Sequence, residues 1–424
     1  MYRVLITALA AAALAVACGD KKPAEGGSAA APASQAESAA KSAAPKGTNT
    51  LGSAATSAAA NIKGAEALAA AAADVEALTK KGEQGVTVEE YEKLLLALSA
   101  CAVENSGIDR KCEAYKALRE ARKNRGTLVK DWGGAMAGLG KKHIGHESPA
   151  VRIQAASLMG SIFGTSQDSQ DVIIAAAKAE KHPEVLKQML RTVASSIAKN
   201  EAVRELMLAN AEHADPKVRM EVVSALTSTW AKGTTGTLEK AMEMVEKDAD
   251  GDVQNYACRR LGERADERVL PLLLKLTKEP GEDGKRYSAC FRGLISMWSS
   301  PVAHKTPSEK AYKATLALLK KTPRSNVHPP WTAIPAMEWA KQERFQENAP
   351  WFKAPELVAV LGAVVTDKDA NWLARSSGVD AMVKLGATKA DFEKAAKAYA
   401  DAKDKPGTDK RILEKLEKAI AAAK

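Results

Sequence analysis

The segment 215–226 shows the arrangement of apolar and polar residues that the rest of the chain repeats. Its apolar side chains are spaced four, three and one residues apart: Val218, Val222, Ala225 and Leu226. That spacing places them on one face of a helix. Asp215 can cap the helix with its carboxylate, and Pro216 fits the first turn, where its missing N–H costs nothing. We therefore predict an amphipathic helix capped at Asp215.

Weaker copies of this segment recur at intervals of about 33–35 residues, a period typical of stacked helical repeats. The clearer copies begin at Ser148, His182 and Asp250, and the fainter ones at Asp283, Asn326 and Asn371. Other amphipathic stretches lie between them, at residues 172–179, 202–211, 238–246 and 269–277. Each repeat is then two helices, and one pair cannot bury its own apolar face. Stacked pairs share a core, so the sequence predicts an all-α fold, an α-solenoid.

The repeated pattern Asp-Pro-x-Val-Arg-x-x-Ala-x-x-Ala-Leu-Gly resembles the HEAT repeat family, best over 146–295 and more weakly to about 386. The family resemblance implies a curved superhelix with an Asp/Arg ladder along its inner helices. Its members here would be Arg152, Asp215, Arg219 and Arg375. Leu186 and Gln254 replace the arginine in two copies. These arginines are interpreted either as bonds between repeats or as ligand contacts. Tetratricopeptide repeats share the period but not the motif, and the pattern alone leaves armadillo-type solenoids open.

The first residues have the features of an export signal. Arg3 precedes an apolar run, residues 4–16, which is too short for a comfortable membrane span. The run ends in Ala15-Val16-Ala17-Cys18-Gly19, which resembles a bacterial lipobox with Ala15 in place of the usual leucine. The resemblance implies cleavage before Cys18, a diacylglycerol on its sulfur, and an amine acylated with a fatty acid such as palmitate. An ordinary signal peptide followed by a coincidental cysteine is the alternative.

Composition divides the chain into five parts. Residues 1–17 are the predicted signal peptide, and residues 18–60 are an Ala/Ser/Pro/Gly tether that cannot bury enough apolar surface to fold. Residues 61–145 are an Ala-rich helix and an N-terminal helical cap. The regular HEAT-like repeats occupy 146–295, and irregular Trp/Pro-rich repeats with a C-terminal helical cap occupy 296–424. By analogy with enteric sorting rules, Gly19 after Cys18 favours the periplasmic side of the outer membrane over the inner membrane.

The chain is basic, with a formal net charge of +10, but its charges alternate in sign along helices instead of forming one basic block. Export argues against a nucleic-acid partner. Anionic lipid headgroups and cell-wall polymers stay open as partners of a basic surface.

Four cysteines remain when Cys18 is lipidated, an even number for an oxidising compartment. Cys101 and Cys112 lie at adjoining ends of two predicted helices, 88–102 and 109–123, so an antiparallel hairpin would form a Cys101–Cys112 disulfide. Cys258 and Cys290 lie at nearly matching positions of consecutive repeats. Their positions differ in phase by one residue, and a bridge needs Cα atoms within about 7 Å. The alternative for Cys258 and Cys290 is two buried free thiols.

Tryptophan and proline crowd the region after residue 298, where the repeat interval lengthens to about 43–45 residues and longer loops enter. The candidate partner-binding residues there are Trp331, Trp339, Trp351 and Phe352. Such loops make rigid anchors for a partner. The alternative is aromatic packing that seals an irregular junction between repeats. Exposure of Trp331 or Trp351 in a groove would support the first reading, and burial of both would exclude it.

No catalytic or metal-binding motif is recognisable in the sequence. His146, His182 and His213 recur near the repeat turns, but consecutive repeats lie about 10 Å apart, so these side chains cannot share one ion. No nucleophile, phosphate-loop or zinc-protease motif occurs. We therefore expect no catalytic residue, no metal and no cofactor.

Together these features predict a lipid-anchored cell-envelope scaffold that binds a protein or peptide along a HEAT-like surface. An envelope assembly or transport accessory that binds anionic lipid or cell-wall polymer is the alternative, and an enzyme of unknown type is a second one. The sequence leaves the oligomeric state open.

Overall fold

The computed structural model describes residues 75–78, 85–104, 107–123, 131–160, 165–280, 284–321, 324, 327–403 and 406–423. The predicted signal peptide, Cys18 and the predicted tether lie outside the described residues. None of the helices in the described part has both the length and the apolar composition needed to cross a bilayer.

The described part of the chain is built almost entirely of helices. Its α-helices are α1 Val88–Ala97, α2 Glu113–Lys123, α3 Trp132–His143, α4 Pro149–Leu158, α5 Gln167–Ala179, α6 Pro183–Val193, α7 Glu201–Ala209, α8 Pro216–Leu226, α9 Thr237–Lys247, α10 Gly251–Glu263, α11 Leu270–Leu276, α12 Lys285–Ser299, α13 Glu309–Lys320, α14 Glu343–Asn348, α15 Ala354–Thr366, α16 Trp372–Lys384, α17 Lys389–Lys397 and α18 Thr408–Ala422. Shorter 3-10 helices join several of them, and the longest of these is Ile334–Lys341. One antiparallel ribbon pairs β1 Val103–Glu104 with β2 Gly107–Ile108.

From α3 onward the helices, apart from the short α14, alternate between two layers. The close-packed layer, in which each member contacts the next, contains α4, α6, α8, α10, α12, the 3-10 helix Ile334–Lys341, α16 and α18. The outer layer contains α3, α5, α7, α9, α11, α13, α15 and α17. Neighbouring outer and close-packed helices pack as hairpins, and the apolar faces meet between the layers. This arrangement confirms the predicted α-solenoid of HEAT-like helical hairpins.

Three of the repeated helices have the side-chain caps that the sequence pattern indicates, whereas the copy expected near Asn326 is a 3-10 helix that begins only at Ile334. Asp283 and Asn326 themselves lie outside the described residues. The Asp215 carboxylate accepts the Lys217 N–H at 2.7 Å and caps α8, with Pro216 in the first turn. Asp250 and Asn371 cap α10 and α16 in the same way. In α8 the predicted apolar face is fully buried. The cap therefore fixes the start of the helix, and the apolar spacing fixes which face meets the core.

Arg152 and Arg219 each join one repeat to the next through a carboxylate. The Nε and Nη2 atoms of Arg152 bond Glu180 at 2.7 and 3.0 Å. Those of Arg219 bond Asp248 at 2.8 and 2.7 Å. In each case Nη1 also donates to two backbone carbonyls that precede the helix's own cap. Near the C-terminus, Arg375 bonds Asp409 of α18 at 2.7 Å.

Asp215 was expected to pair with an arginine of the ladder, but it caps its own helix instead. The carboxylates that bond Arg152 and Arg219 are Glu180 and Asp248, which come from the following repeat. Glu180 and Asp248 each stand two residues before the next N-cap and also accept that cap's N–H. Burial alone would raise the pKa of Glu180, but the hydrogen bonds from Arg152 and the backbone outweigh burial and lower it.

Two glycines allow α10 and α12 to approach very closely. A Cβ added to Gly262 would lie 1.9 Å from the Gly293 carbonyl oxygen, and one added to Gly293 would lie 2.6 Å from the Cys258 oxygen. A disulfide joins Cys258 to Cys290 across this contact, with a Cα–Cα distance of 5.0 Å. The two helices therefore form one rigid pair at the centre of the close-packed layer.

The N-terminal cap is less helical than the sequence indicated. Helix α1 begins at the Thr87–Glu90 capping box and ends at Ala97, and α2 begins only at Glu113. The short β1–β2 ribbon lies between them. A disulfide joins Cys101 to Cys112 beside this ribbon, with a Cα–Cα distance of 5.7 Å. The connection between the helices is thus a cross-linked ribbon, where the sequence had predicted two longer helices.

Candidate partner-binding surface

The close-packed layer has a groove over its α10–α12 pair. We call it the Trp331 groove; it has a volume of about 640 Å³, and its lining includes Tyr256, Arg259, Lys285, Arg292 and Trp331. Helices α10 and α12 supply its floor, and the loop that precedes the 3-10 helix Ile334–Lys341 supplies one wall. Met220 of α8 and Asn371, which caps α16, also line it, so the groove combines residues from five consecutive repeats.

A second groove adjoins the first. We call it the Trp339 groove; it has a volume of about 530 Å³, and its lining includes Trp230, Arg260, Arg292, Val302 and Trp339. Arg292 lines both grooves, so the two form one surface, which we call the binding surface. It extends along the close-packed layer from α8 to the start of α16.

Several large apolar side chains are exposed on this surface. Trp230 is 59% exposed, Trp331 44%, Trp339 40% and Val302 44%. Elsewhere in the described part, large exposed apolar side chains stand singly: Leu96, Leu274 and Val383. Single exposed apolar residues need no explanation, but a group of them lining adjoining grooves indicates an interaction site.

The arginines of the binding surface are engaged to different extents. The Arg259 guanidinium lies 5.2 Å from the centre of the Tyr256 ring and 3.9 Å from the Glu263 carboxylate. Arg260 donates to Glu263 at 2.5 Å. Within the part of the chain that the structure describes, the half-buried Arg292 guanidinium has no hydrogen-bond or ion-pair partner. Arg292 is thus the cation of this surface with its donors available to a ligand.

Trp351 and Phe352 have a different role from Trp331 and Trp339. Both are half-buried in an aromatic cluster, where Trp351 lies 5.1 Å from Tyr312 between ring centres and Phe352 lies 5.0 Å from Phe345. The fully buried Trp298 stacks on Phe352 at 6.2 Å. These two residues therefore pack the junction beneath the surface, while Trp331 and Trp339 face solvent.

Hydrogen bonds to α12 hold the loop that carries Trp331. The Tyr287 hydroxyl bonds His328 Nδ1, and the Ser288 hydroxyl bonds Thr332 Oγ1 at 2.6 Å. Burial lowers the pKa of His328 to about 4, so the ring is neutral at pH 7. The loop is therefore fixed to the same helix that supplies Arg292.

The histidines that recur at the repeat turns bond to backbone. The Nδ1 atoms of His146 and His213 accept the N–H of Ser148 and of Asp215, each at 3.0 Å, and His182 caps α6. Among the described residues, no three His, Cys, Asp or Glu side chains are grouped so that they could hold a metal ion.

Sequence reasoning did not select Trp230, Tyr256, Arg259 or Arg292. The sequence did offer a reason to notice the first two. Aromatic residues make up only 4% of the chain, and Trp230 and Tyr256 each follow two polar residues. For Arg259 and Arg292 there was none, since an arginine on the solvent face of a helix is ordinary.

Comparison with known proteins supports the repeat assignment. A family model described as HEAT repeats matches residues 201–290, which span α7 to the first part of α12. This segment is HEAT-like. A comparison with curated proteins gives no match.

Solved structures with similar architecture include three of Kap121p. Unbound Kap121p aligns with a TM-score of 0.44 and 14% identity, covering 81% of this chain and 39% of that one. Kap121p bound to Ste12p gives 0.42 and 12%, and Kap121p bound to Nup53p gives 0.43 and 11%; each covers 81% of this chain and 38% of that one. The chain thus spans well under two thirds of the length of these proteins. At these TM-scores the likeness carries no functional argument.

Proposed function

We propose that this protein is a lipid-anchored cell-envelope scaffold that binds a protein or peptide along the binding surface, and that it acts by binding and not by catalysis. The observation that carries the proposal is the group of exposed Trp230, Trp331 and Trp339 around Arg292. Rigid aromatic side chains beside an arginine are the residue types that dominate binding energy at protein interfaces. Helical repeats present such residues from several turns of the stack at once.

The anchor is proposed from the sequence. Cys18 would carry the acyl chains, and each buried CH₂ contributes about 0.8 kcal/mol to membrane attachment. A random coil as long as the predicted tether, roughly 40 residues, spans about 35 Å on average. The tether would thus hold the binding surface away from the bilayer, on the periplasmic side of the outer membrane.

The alternative is an envelope accessory that binds anionic lipid or cell-wall polymer. Arg259, Lys285 and Arg292 in the Trp331 groove favour this alternative, since they outnumber Asp252, the acidic residue of its lining. Binding of a polyanion would weaken steeply with added salt, whereas binding dominated by buried aromatic contacts would not.

Site-specific photo-crosslinking in intact cells tests the leading proposal. A photoreactive phenylalanine analogue would replace Trp331 in one variant and Trp339 in another. The matched control replaces Leu274, which is 40% exposed but belongs to α11 in the outer layer. We expect discrete protein adducts from positions 331 and 339, and none of them from position 274.

The same adducts from all three positions, or lipid adducts alone from 331 and 339, would contradict the proposal. Repeating the irradiation after a wash at high ionic strength separates a protein partner from a polyanion, because the latter is lost.

A further inference from the structure

The point where the two grooves meet indicates the chemical class of the partner. Resting on the proposed function, we propose that the binding surface takes an extended acidic peptide segment of a partner protein. One carboxylate of that segment bonds the Arg292 guanidinium, and apolar side chains on either side occupy the Trp331 and Trp339 grooves.

The charges of the surface favour an acidic ligand at Arg292 in particular. Glu263 and Glu338 line the Trp339 groove but are already engaged, by Arg260 at 2.5 Å and by Lys384 of α16 respectively. Arg259 is partly satisfied by the Tyr256 ring and by Glu263. Arg292 has no such partner among the described residues, so its positive charge is the one left for a ligand to neutralise.

The geometry of arginine favours a carboxylate. The planar guanidinium presents parallel N–H donors that match the two oxygens of a carboxylate, and the half-buried position of Arg292 strengthens such a bond relative to one in open water. An Asp or Glu of the chain itself could make this bond, but none of the described acidic residues bonds the Arg292 guanidinium.

The distribution of acidic residues argues against a continuous polyanion. Asp252 lies at the lining of the Trp331 groove, and Glu263 and Glu338 lie at that of the Trp339 groove. A uniformly charged polymer would bring a negative charge beside Asp252, and like charges in contact are unfavourable. In the Trp339 groove its charges would meet the Arg260–Glu263 and Lys384–Glu338 pairs, which are already neutralised. A peptide places its charge only where Arg292 is and its apolar side chains elsewhere.

The apolar flanks argue for an extended segment with large side chains. The surface crosses α10, α12 and the 3-10 helix, which at about 10 Å per helix is roughly 30 Å, the length of about nine extended residues. The chain's own predicted tether does not fit this description. Over residues 18–60 its one large apolar residue is Leu51, and its lysines outnumber its acidic residues.

Degenerate peptides test the inference directly. Three fluorescent pools of about nine residues share mixed apolar positions and differ only at the centre, which is Glu, Gln or Lys. Each would be titrated with the full mature chain in detergent. We expect the Glu pool to bind about tenfold or more tightly than the Gln pool, and the Lys pool to bind weakest.

Variants assign that preference to one side chain. Arg292→Gln should make the Glu and Gln pools bind equally, and Arg292→Lys should keep part of the preference because it retains the charge without the fork. Arg119→Gln, an exposed arginine of α2 in the N-terminal cap, is the matched control and should change nothing. Unchanged thermal unfolding shows that each variant is folded, and if Arg292→Gln unfolds, Arg292→Lys carries the comparison.

Two different failures can be told apart. Equal binding of the Glu and Gln pools to the unmodified chain, or a Glu preference that survives Arg292→Gln, overturns the inference. If Trp331→Ala still abolishes that binding, the proposed peptide-binding function stands. If no pool binds but vesicles containing phosphatidylglycerol do, both the inference and the proposed function fail.

Discussion

At the residue scale, buried ion pairs between repeats occur at alternate junctions from α4 to α10. Arg152 of α4 and Arg219 of α8 stand in alternate helices of the close-packed layer, and Leu186 of α6 and Gln254 of α10 occupy the matching position in the helix that follows each. The residue two positions before the N-cap of each helix alternates in the same way. It is His146 or His213 where the helix carries the arginine, and Glu180 or Asp248 where it does not. Each buried ion pair therefore joins two repeats. The next junction has a different cross-link: the exposed Arg191–Glu221 pair joins α6 to α8, and the Cys258–Cys290 disulfide joins α10 to α12.

Breaking one such pair should be costly, and breaking an exposed one should not. In Arg219→Met the Asp248 side chain, only 3% exposed, loses its counter-charge, and two carbonyls lose a donor. We expect the free energy of unfolding to fall by about 3–5 kcal/mol. The matched control is Arg191→Met, which breaks the Arg191–Glu221 pair. The Arg191 side chain is 59% exposed, so this change should lower the free energy of unfolding by only about 0–1 kcal/mol. Urea unfolding followed by circular dichroism measures both, and equal losses would refute the distinction.

The close approach of α10 and α12 should tolerate no side chain at Gly262. In Gly262→Ala the new Cβ would meet the Gly293 backbone oxygen at 1.9 Å, and the Cys258–Cys290 disulfide resists separation of the helices. We expect a loss of about 1–3 kcal/mol in the free energy of unfolding. Gly138→Ala in α3 is the control, since a Cβ there meets nothing within 4 Å and alanine favours a helix interior by up to about 1 kcal/mol. A stable Gly262→Ala protein would show that the contact can relax.

At the element scale, helices with a cap and a regular apolar spacing could be predicted, and the Trp/Pro-rich region could not. The stretch predicted at 238–246 is α9, Thr237–Lys247, because spacing and local polarity agree there. Around Ile334–Lys341 the chain forms a 3-10 helix, and its place in the stack depends on contacts with α12 and α16. Those contacts join residues far apart in the sequence, so no local pattern encodes them.

The loop that holds Trp331 should lose stability in mild acid. Burial lowers the pKa of His328 to about 4 in the folded chain, whereas an unfolded histidine titrates near 6.5. Between these values the unfolded state binds the additional proton. The free energy of unfolding should therefore be highest above about pH 6.5, fall as pH falls towards 4 by up to about 1.4 kcal/mol per pH unit, and level off below.

The pH dependence of unfolding in variants isolates the contribution of His328. His328→Gln should remove this part of the slope between pH 4 and 6.5. Tyr287→Phe removes the hydroxyl that bonds Nδ1 but leaves the ring buried, so most of the slope should persist. If His328→Gln retains the slope of the unmodified chain, another group is responsible for it.

At the scale of the whole molecule, the binding surface is made from one helix face of each of several repeats. Trp331 and Trp339 could be chosen from sequence because proline and tryptophan are concentrated around them. Tyr256 and Arg292 stand 36 residues apart and look like ordinary residues of amphipathic helices, and only stacking brings them into one groove. Trp351 resembled Trp331 in sequence, yet it packs against Tyr312 in the junction below the surface. A local sequence pattern indicates which residues are unusual, whereas exposure depends on the completed stack.

Anchoring and partner binding should be separable, because the binding surface is built from residues of the repeats and the proposed anchor is Cys18. We expect the exported chain to sediment with membranes and to stay there in high salt, since acyl chains are held by apolar burial and not by charge. The test variant exports the chain behind an ordinary cleavable signal peptide and carries Cys18→Ser. It should appear in the soluble fraction while binding the Glu peptide pool as tightly as the acylated chain does. Sedimentation of this variant in high salt would contradict the lipid anchor, and mass spectrometry of the N-terminal fragment of the natural chain would show whether Cys18 carries acyl groups.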